Sequence, residues 1–298
     1  MPDDYSTVSR IVGLYPLTRL AFASGVRRWE RDASAAFDAP ETPGTLRVRQ
    51  VPPRPAPPLA RSAAAALLGR AALEPLGVPR LHESELERFA AAYAPSFEVT
   101  ITGDHDRFGA LRWRRGAALP QVDAAEAVAY VQQSHARYRG GDGTDRILLQ
   151  LVYTIWFPER PPSSEHDILA GALDGFVWRV TLAPDGEPLL YDSMHACGCY
   201  HQFFPTPRAR LRPAPDSLEE WAFVPRRLRR VGEGERPVVR LASGSHVLCW
   251  RFCRSSRSCS FRLSFDPRAL LLCDVGAQFA VLQSRRCRCR ASVRGTWP

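Results

Sequence analysis

Lysine and asparagine are missing from all 298 residues, so each of the 40 basic residues is Arg. Arg, Ala, Pro and Gly use GC-rich codons and Lys and Asn use AT-rich ones. A GC-rich gene is the simplest cause, and arginine richness is not in itself a nucleic-acid signal. Cysteine is absent from the first 196 residues, which excludes a small secreted disulfide scaffold. No apolar h-region follows Met1-Pro2-Asp3-Asp4-Tyr5, so no signal peptide is read there. No apolar run reaches the roughly 18 residues of a membrane span. Phosphate loops, dinucleotide fingerprints and nucleophile elbows are also missing. These absences lead to the expectation of a cytoplasmic protein without a transmembrane segment.

Acidic residues are scarce at one end. The last 52 residues hold ten Arg against Asp266 and Asp274, a net +8 of the chain's +9. The remaining body is close to neutral, so no basic field steers it to nucleic acid, and no nucleic-acid partner is expected. Cys249, Cys253, Cys259, Cys273, Cys287 and Cys289 also lie in this tail, and turn logic stops after Ser243-Gly244-Ser245-His246. Such a composition is what out-of-frame reading of GC-rich coding sequence tends to give, and a genuine Arg/Cys-rich tail is the alternative. Translation of the other two frames past His246 separates the two.

The pattern that remains is α+β: a helical N-terminal region over 1–94, a mostly antiparallel β-rich domain over 95–246, and the tail at 247–298. Leu17 to Phe37 fits a helix with Leu20 and Trp29 near one face. Residues 39–59 are Pro-rich and read as an extended linker. An Ala-rich helix is expected at about 59–75 and another from Ser84 to Tyr93, where Ser84 and Glu87 resemble a capping box. From Phe97 the period becomes two. Ile147 to Phe157 reads as a strand buried on both faces and stopped by Pro158. Val122 to Tyr138 is ambiguous between helix and strand. Phe176 to Leu182, a Pro184-Asp185-Gly186 turn and Leu189-Leu190-Tyr191 form a hairpin. Residues 220–224 and 237–243 could supply two more strands.

That hairpin delivers the densest chemistry in the chain, Tyr191-Asp192-Ser193-Met194-His195-Ala196-Cys197-Gly198-Cys199-Tyr200-His201. His195, Cys197, Cys199 and His201 are the four ligand types zinc prefers. In an extended strand the two histidines would lie roughly 20 Å apart, so one ion can join them only if the chain folds back, and Gly198 is where it can. A smaller set would take two or three of these with His246 or His105. A thiol reading competes: Cys197 or Cys199 as nucleophile, His195 or His201 as base and Asp192 orienting it. A strained, easily reduced Cys197–Cys199 disulfide is a further option. The plainest reading makes both cysteines small buried hydrophobes and both histidines satisfied polar residues.

The stretch Leu149-Gln150-Leu151-Val152-Tyr153-Thr154-Ile155-Trp156-Phe157-Pro158-Glu159-Arg160-Pro161 resembles an uncharacterised family of bacterial proteins. The resemblance continues through Leu173-Asp174-Gly175, Trp178-Arg179-Val180-Thr181-Leu182 and Asp192 with the His-Ala-Cys-Gly-Cys-Tyr-His run. It covers roughly residues 95–246 and implies no activity, cofactor or mechanism.

Elsewhere, Asp104-His105-Asp106 reads first as a polar turn, and Arg226-Arg227-Leu228-Arg229-Arg230 as a solvated face rather than a phosphate grip. The leading expectation is a zinc-binding protein built on His195, Cys197, Cys199 and His201. A non-enzymatic β-domain with a binding or assembly role comes next, then a thiol hydrolase or redox protein. Substrate and partner are not read from the sequence.

Overall fold

Three amphipathic or Ala-rich segments become helices: α1 (Tyr15–Ala36), α2 (Arg61–Ala71) and α3 (Glu83–Tyr93). The structure is a computed structural model. It describes residues 15–37, 45–53, 59–117, 119–140, 143–165, 167, 169–211, 222–232, 235–249, 257–260 and 262–265. The cap of α3 differs from the sequence expectation. Glu85, not Glu87, reaches back, accepting from the His82 backbone N–H at 3.0 Å, and Ser84 lies inside the first turn.

The strands are β1 (Arg47–Val51), β2 (Ser96–Thr100), β3 (Ala110–Arg112), β4 (Gln121–Asp123), β5 (Val128–Arg139) and β6 (Asp145–Arg160). They continue with β7 (Gly171–Leu182), β8 (Pro188–His195), β9 (Gln202–Pro205), β10 (Val238–Leu241), β11 (Arg257–Ser260) and β12 (Arg262–Ser264). A six-stranded sheet runs β12-β5-β6-β7-β8-β9 and a four-stranded one β10-β2-β1-β11, with β3-β4 a separate ribbon. Pairing is antiparallel from β5 through β9, while β12 joins β5, and β10 and β11 join β2 and β1, in parallel. The fold is thus mixed α+β.

Several local expectations are refined. Part of the stretch read as linker is β1, which pairs with β2. The ambiguous segment resolves into β4, a turn and β5. Pro158 does not stop β6. The ladder skips it, passing from Phe157 opposite Asp174 to Glu159 opposite Ala172, because proline has no N–H to donate. Leu173, across from the gap, takes a left-handed φ of 66°, which a Cβ-bearing residue adopts at a cost. Residues 237–243 supply β10, whereas 222–224 carry no strand. Most of the Arg/Cys-rich tail, and with it the frame question, lies outside the described residues.

The core lies between the six-stranded sheet and α2, α3 and the four-stranded sheet. Tyr153, Ile155, Phe157, Trp178 and Phe176 are buried from the sheet side, and Phe89, Ala90 and Phe97 from the other. α3 is tied down by its backbone: the Tyr153 hydroxyl donates to the Ala90 carbonyl at 2.8 Å. In the smaller sheet, buried Glu98 accepts from Arg240 Nε at 2.6 Å and from Arg49 Nη2 at 2.8 Å, so its charge is doubly paired. Among the described residues no helix is long and apolar enough to cross a membrane.

Candidate functional site

Strand pleating decides where the motif residues go. Along β8, Tyr191, Ser193 and His195 face one side of the sheet, and Asp192 and Met194 the other. After His195 the chain reverses. The Gly198 N–H donates to the His195 carbonyl at 2.8 Å, and the His195 N–H to the Cys199 carbonyl at 3.0 Å. Gly198 sits at φ 86°, a left-handed conformation that costs glycine little. The turn is pressed onto β7: the Ala196 N–H donates to the Gly175 carbonyl at 2.7 Å. A Cβ on Gly175 would come within 2.6 Å of the Trp156 ring and 2.7 Å of Ala196 Cβ.

Inside the turn the two cysteines meet. The Cys199 backbone N–H donates to Cys197 Sγ at 3.4 Å. The Cys199 side chain also acts on Cys197, and this interaction is the main reason the Cys197 thiol is pushed down to about 6. Burial opposes the shift, and the charge of His195 assists it. Cys199 is held up in turn. Both are free thiols and half-buried.

A His–Asp pair flanks the turn on each face. On the core face, His195 Nδ1 lies 3.3 Å from Asp174 Oδ1. On the opposite face, His201 Nε2 lies 3.0 Å from Oδ1 of buried Asp192, which also accepts from Arg179 Nε at 2.8 Å. His195 and His201 therefore do not converge on one point.

The core-face pair extends inward. Asp174 Oδ2 is 2.7 Å from His246 Nδ1, and His246 Nε2 is 3.4 Å from Asp106 Oδ1. His246 is fully buried, stacked on Phe157 with ring centroids 3.7 Å apart. Burial alone would raise the Asp174 carboxyl, but hydrogen bonds and charge from His195 and His246 outweigh it and hold the group well below the usual carboxylate range. Asp106 is likewise penalised by burial and held down by donors, among them the Gly244 and Thr102 N–H groups at 2.7 and 2.8 Å and the Ser243 hydroxyl at 2.8 Å. The Asp104-His105-Asp106 run is thus a turn pinned to 243–244 by its last carboxylate, with His105 Nε2 3.3 Å from Asp106.

Of the four residues read as metal ligands, the structure gathers Cys197 and Cys199, keeps His195 beside them and turns His201 away. Among the described residues no three His, Cys, Asp or Glu side chains cluster in a way that could hold a metal ion. Asp192 orients His201. The carboxylate behind His195 is Asp174, which sequence reasoning did not single out as a site residue. Its only signals were its place in Leu173-Asp174-Gly175 and the Pro158 opposite its neighbour. His246, considered as a distant contributor, does arrive at the site, through Asp174. The arginine run is tied into the structure: Arg229 reaches Glu235 at 2.8 Å, Arg230 pairs with Glu187, and Leu228 is buried.

No family model, curated protein or solved structure matches the chain. The resemblance to a bacterial family accordingly rests on the quoted residues alone.

Proposed function

We propose that this protein carries out thiol–disulfide exchange through Cys197 and Cys199. The observation that supports this best is the pairing of the two cysteines, with the Cys199 N–H donating to Cys197 Sγ and the Cys199 side chain lowering the Cys197 thiol. A thiolate is the nucleophile in such exchange, and one formed near neutral pH is well matched to it. The Cys197 thiolate attacks one sulfur of a disulfide R–S–S–R. The S–S bond breaks and its electron pair leaves on RS⁻, which takes up a proton. Cys199 then gives up its proton and attacks Cys197 Sγ in the mixed disulfide, expelling the second thiol. The protein has lost two electrons, and the disulfide has become two thiols. The Cys-Gly-Cys ring is short and strained, so excess thiol reopens it readily.

A thiol hydrolase fits less well. A His base would have to accept from the cysteine, yet His195 Nε2 is buried without a hydrogen-bond partner among the described residues, and Cys197 takes its hydrogen bonds from Cys199. That same orphan nitrogen favours a second reading, zinc taken up by His195, Cys197 and Cys199 after a side-chain movement, since as placed no three such side chains among the described residues are arranged to hold a metal ion. An Asp behind Nδ1 is the support that metal-ligating histidines commonly have. His201, from the sequence-based set, would stay with Asp192. A cytoplasmic location, a neutral body that binds no nucleic acid, and a helical N-terminal region backing the β domain belong to the same proposal.

The test treats the reduced full-length protein with excess bis(hydroxyethyl) disulfide and maps peptides by mass. The proposal expects an internal Cys197–Cys199 disulfide, a trapped mixed disulfide on Cys197 in Cys199→Ser, and no reaction of Cys199 in Cys197→Ser. An unreactive Cys197 in the folded protein sinks it. One zinc per chain by elemental analysis, lost in Cys199→Ser and in His195→Ala, would favour the metal reading instead.

A further inference from the structure

A cleft of about 330 Å³ opens at the end of β6, at the lower end of the range for small-molecule sites. Its walls come from the end of β6 and the two segments that Asp106 pins together, and include Arg160, Ser163, Thr102, His105, Ser243 and Ser245.

Arg160 links this cleft to the dithiol. It ends β6 and lines the cleft, and its guanidinium carbon sits 5.6 Å from the centroid of the Tyr200 ring, next in sequence to Cys199. Its charge also acts on the Cys199 thiol, drawing it down against burial and the Cys197 contact. The nearby carboxylates accept hydrogen bonds from other donors, although the Arg160 charge also helps to lower the Asp167 carboxyl. Asp106 is saturated by backbone and hydroxyl groups, and Asp167 takes the Ser163 N–H at 3.0 Å, the Ser163 hydroxyl at 2.7 Å and the Leu169 N–H at 2.9 Å. Among the described residues no carboxylate lies within salt-bridge distance of Arg160. A planar guanidinium held near an aromatic ring, in the wall of an open cleft that also presents serine and threonine side chains, is suited to a carboxylate.

The geometry points to Arg160 as an anion-recognition residue: the cleft takes the carboxylate of a small, carboxylate-bearing disulfide whose sulfur is presented to Cys197. This inference rests on the thiol–disulfide reading and names its substrate class. It adds no redox step. The anionic disulfide is the oxidant, and its S–S bond is the one broken.

The experiment compares two disulfides on the full-length Cys199→Ser protein, in which the adduct on Cys197 is trapped and counted by mass. One is dithiodiglycolate, with a carboxylate at each end, and the other is neutral bis(hydroxyethyl) disulfide. The quantity read is the ratio of the anionic to the neutral rate at Cys197, which cancels any change in the thiol itself. Adding Arg160→Gln is expected to lower that ratio about fivefold, the scale of one charge pair screened by water, and Arg160→Lys to restore most of it. Raising ionic strength should shrink the ratio in the protein that keeps Arg160 and leave it flat in the Arg160→Gln variant. A ratio unchanged by Arg160→Gln, in proteins of equal thermal stability, overturns the anion site while leaving the thiol reading intact. Failure of the neutral disulfide to modify Cys197 overturns the thiol reading, and the cleft's proposed role with it.

Discussion

Cys197 and Cys199 are identical in chemistry and two residues apart, yet the turn makes them opposites. The Cys197 thiol is pushed down to about 6 and the Cys199 thiol is pushed up, each chiefly by the other. In Cys199→Ala the Cys197 pKa should return toward the ordinary thiol range. Its alkylation rate by iodoacetamide at pH 7 should then fall by about tenfold, as read from pH–rate profiles of the two proteins. Asp174 works in the opposite sense. Its folded carboxyl is depressed below the unfolded value, so its contribution to stability is present above the unfolded carboxylate pKa of about 4 and is lost as pH falls through the folded one. Asp174→Asn should lower stability at pH 7 by about 1–3 kcal/mol, since the amide keeps a single acceptor oxygen and one of His195 and His246 then meets an NH2 donor in its place. It should also flatten the decline below pH 4 in urea titrations. The motif histidines and cysteines were legible as chemistry from their residue types. Asp174 was not, because a lone aspartate inside an apolar strand carries no spacing signal.

At the level of elements, β7 and β8 set the site. β7 brings Asp174 opposite Phe157 and carries Gly175 against the turn, while β8 ends at His195. Gly175→Ala would drive a methyl group into the Trp156 ring and Ala196. A cost of about 1–3 kcal/mol in chemical denaturation and slower labelling of Cys197 are expected, because the turn must move off the sheet. The hairpin itself was readable from period-two alternation and the Pro184-Asp185-Gly186 turn, and Gly186 takes the left-handed φ of 75° that such a turn needs. β6 was readable up to Pro158. Its continuation was not, since only the partner strand shows that the ladder can skip one donor and resume.

Over the whole molecule, long-range pairings cross the boundary expected near residue 94. β1, inside the Pro-rich stretch, pairs with β2, and α3 buries Phe89 and Ala90 in the core of the larger sheet. A 95–246 fragment would leave that core face and the edge of β2 open to water. It should show no cooperative unfolding transition by circular dichroism, where the full chain should show one. Cooperative folding of the fragment would mean that the N-terminal elements only decorate the domain.

The sequence alone determined the mixed α+β character, the hairpin and the concentration of thiol and imidazole groups at its end, because alternation, turn residues and residue type act over a few neighbours. Tertiary structure alone decided which groups meet. Pleating sends Asp192 with His201 to one face and His195 to the other, and the sheet register brings Asp174 up behind His195. Chain segments far apart in sequence then complete the site: Asp106 and His246 on the buried side, and Arg160 at the mouth of the cleft. Such meetings depend on which strands lie side by side, a choice made by burial of the whole core rather than by any local run of residues.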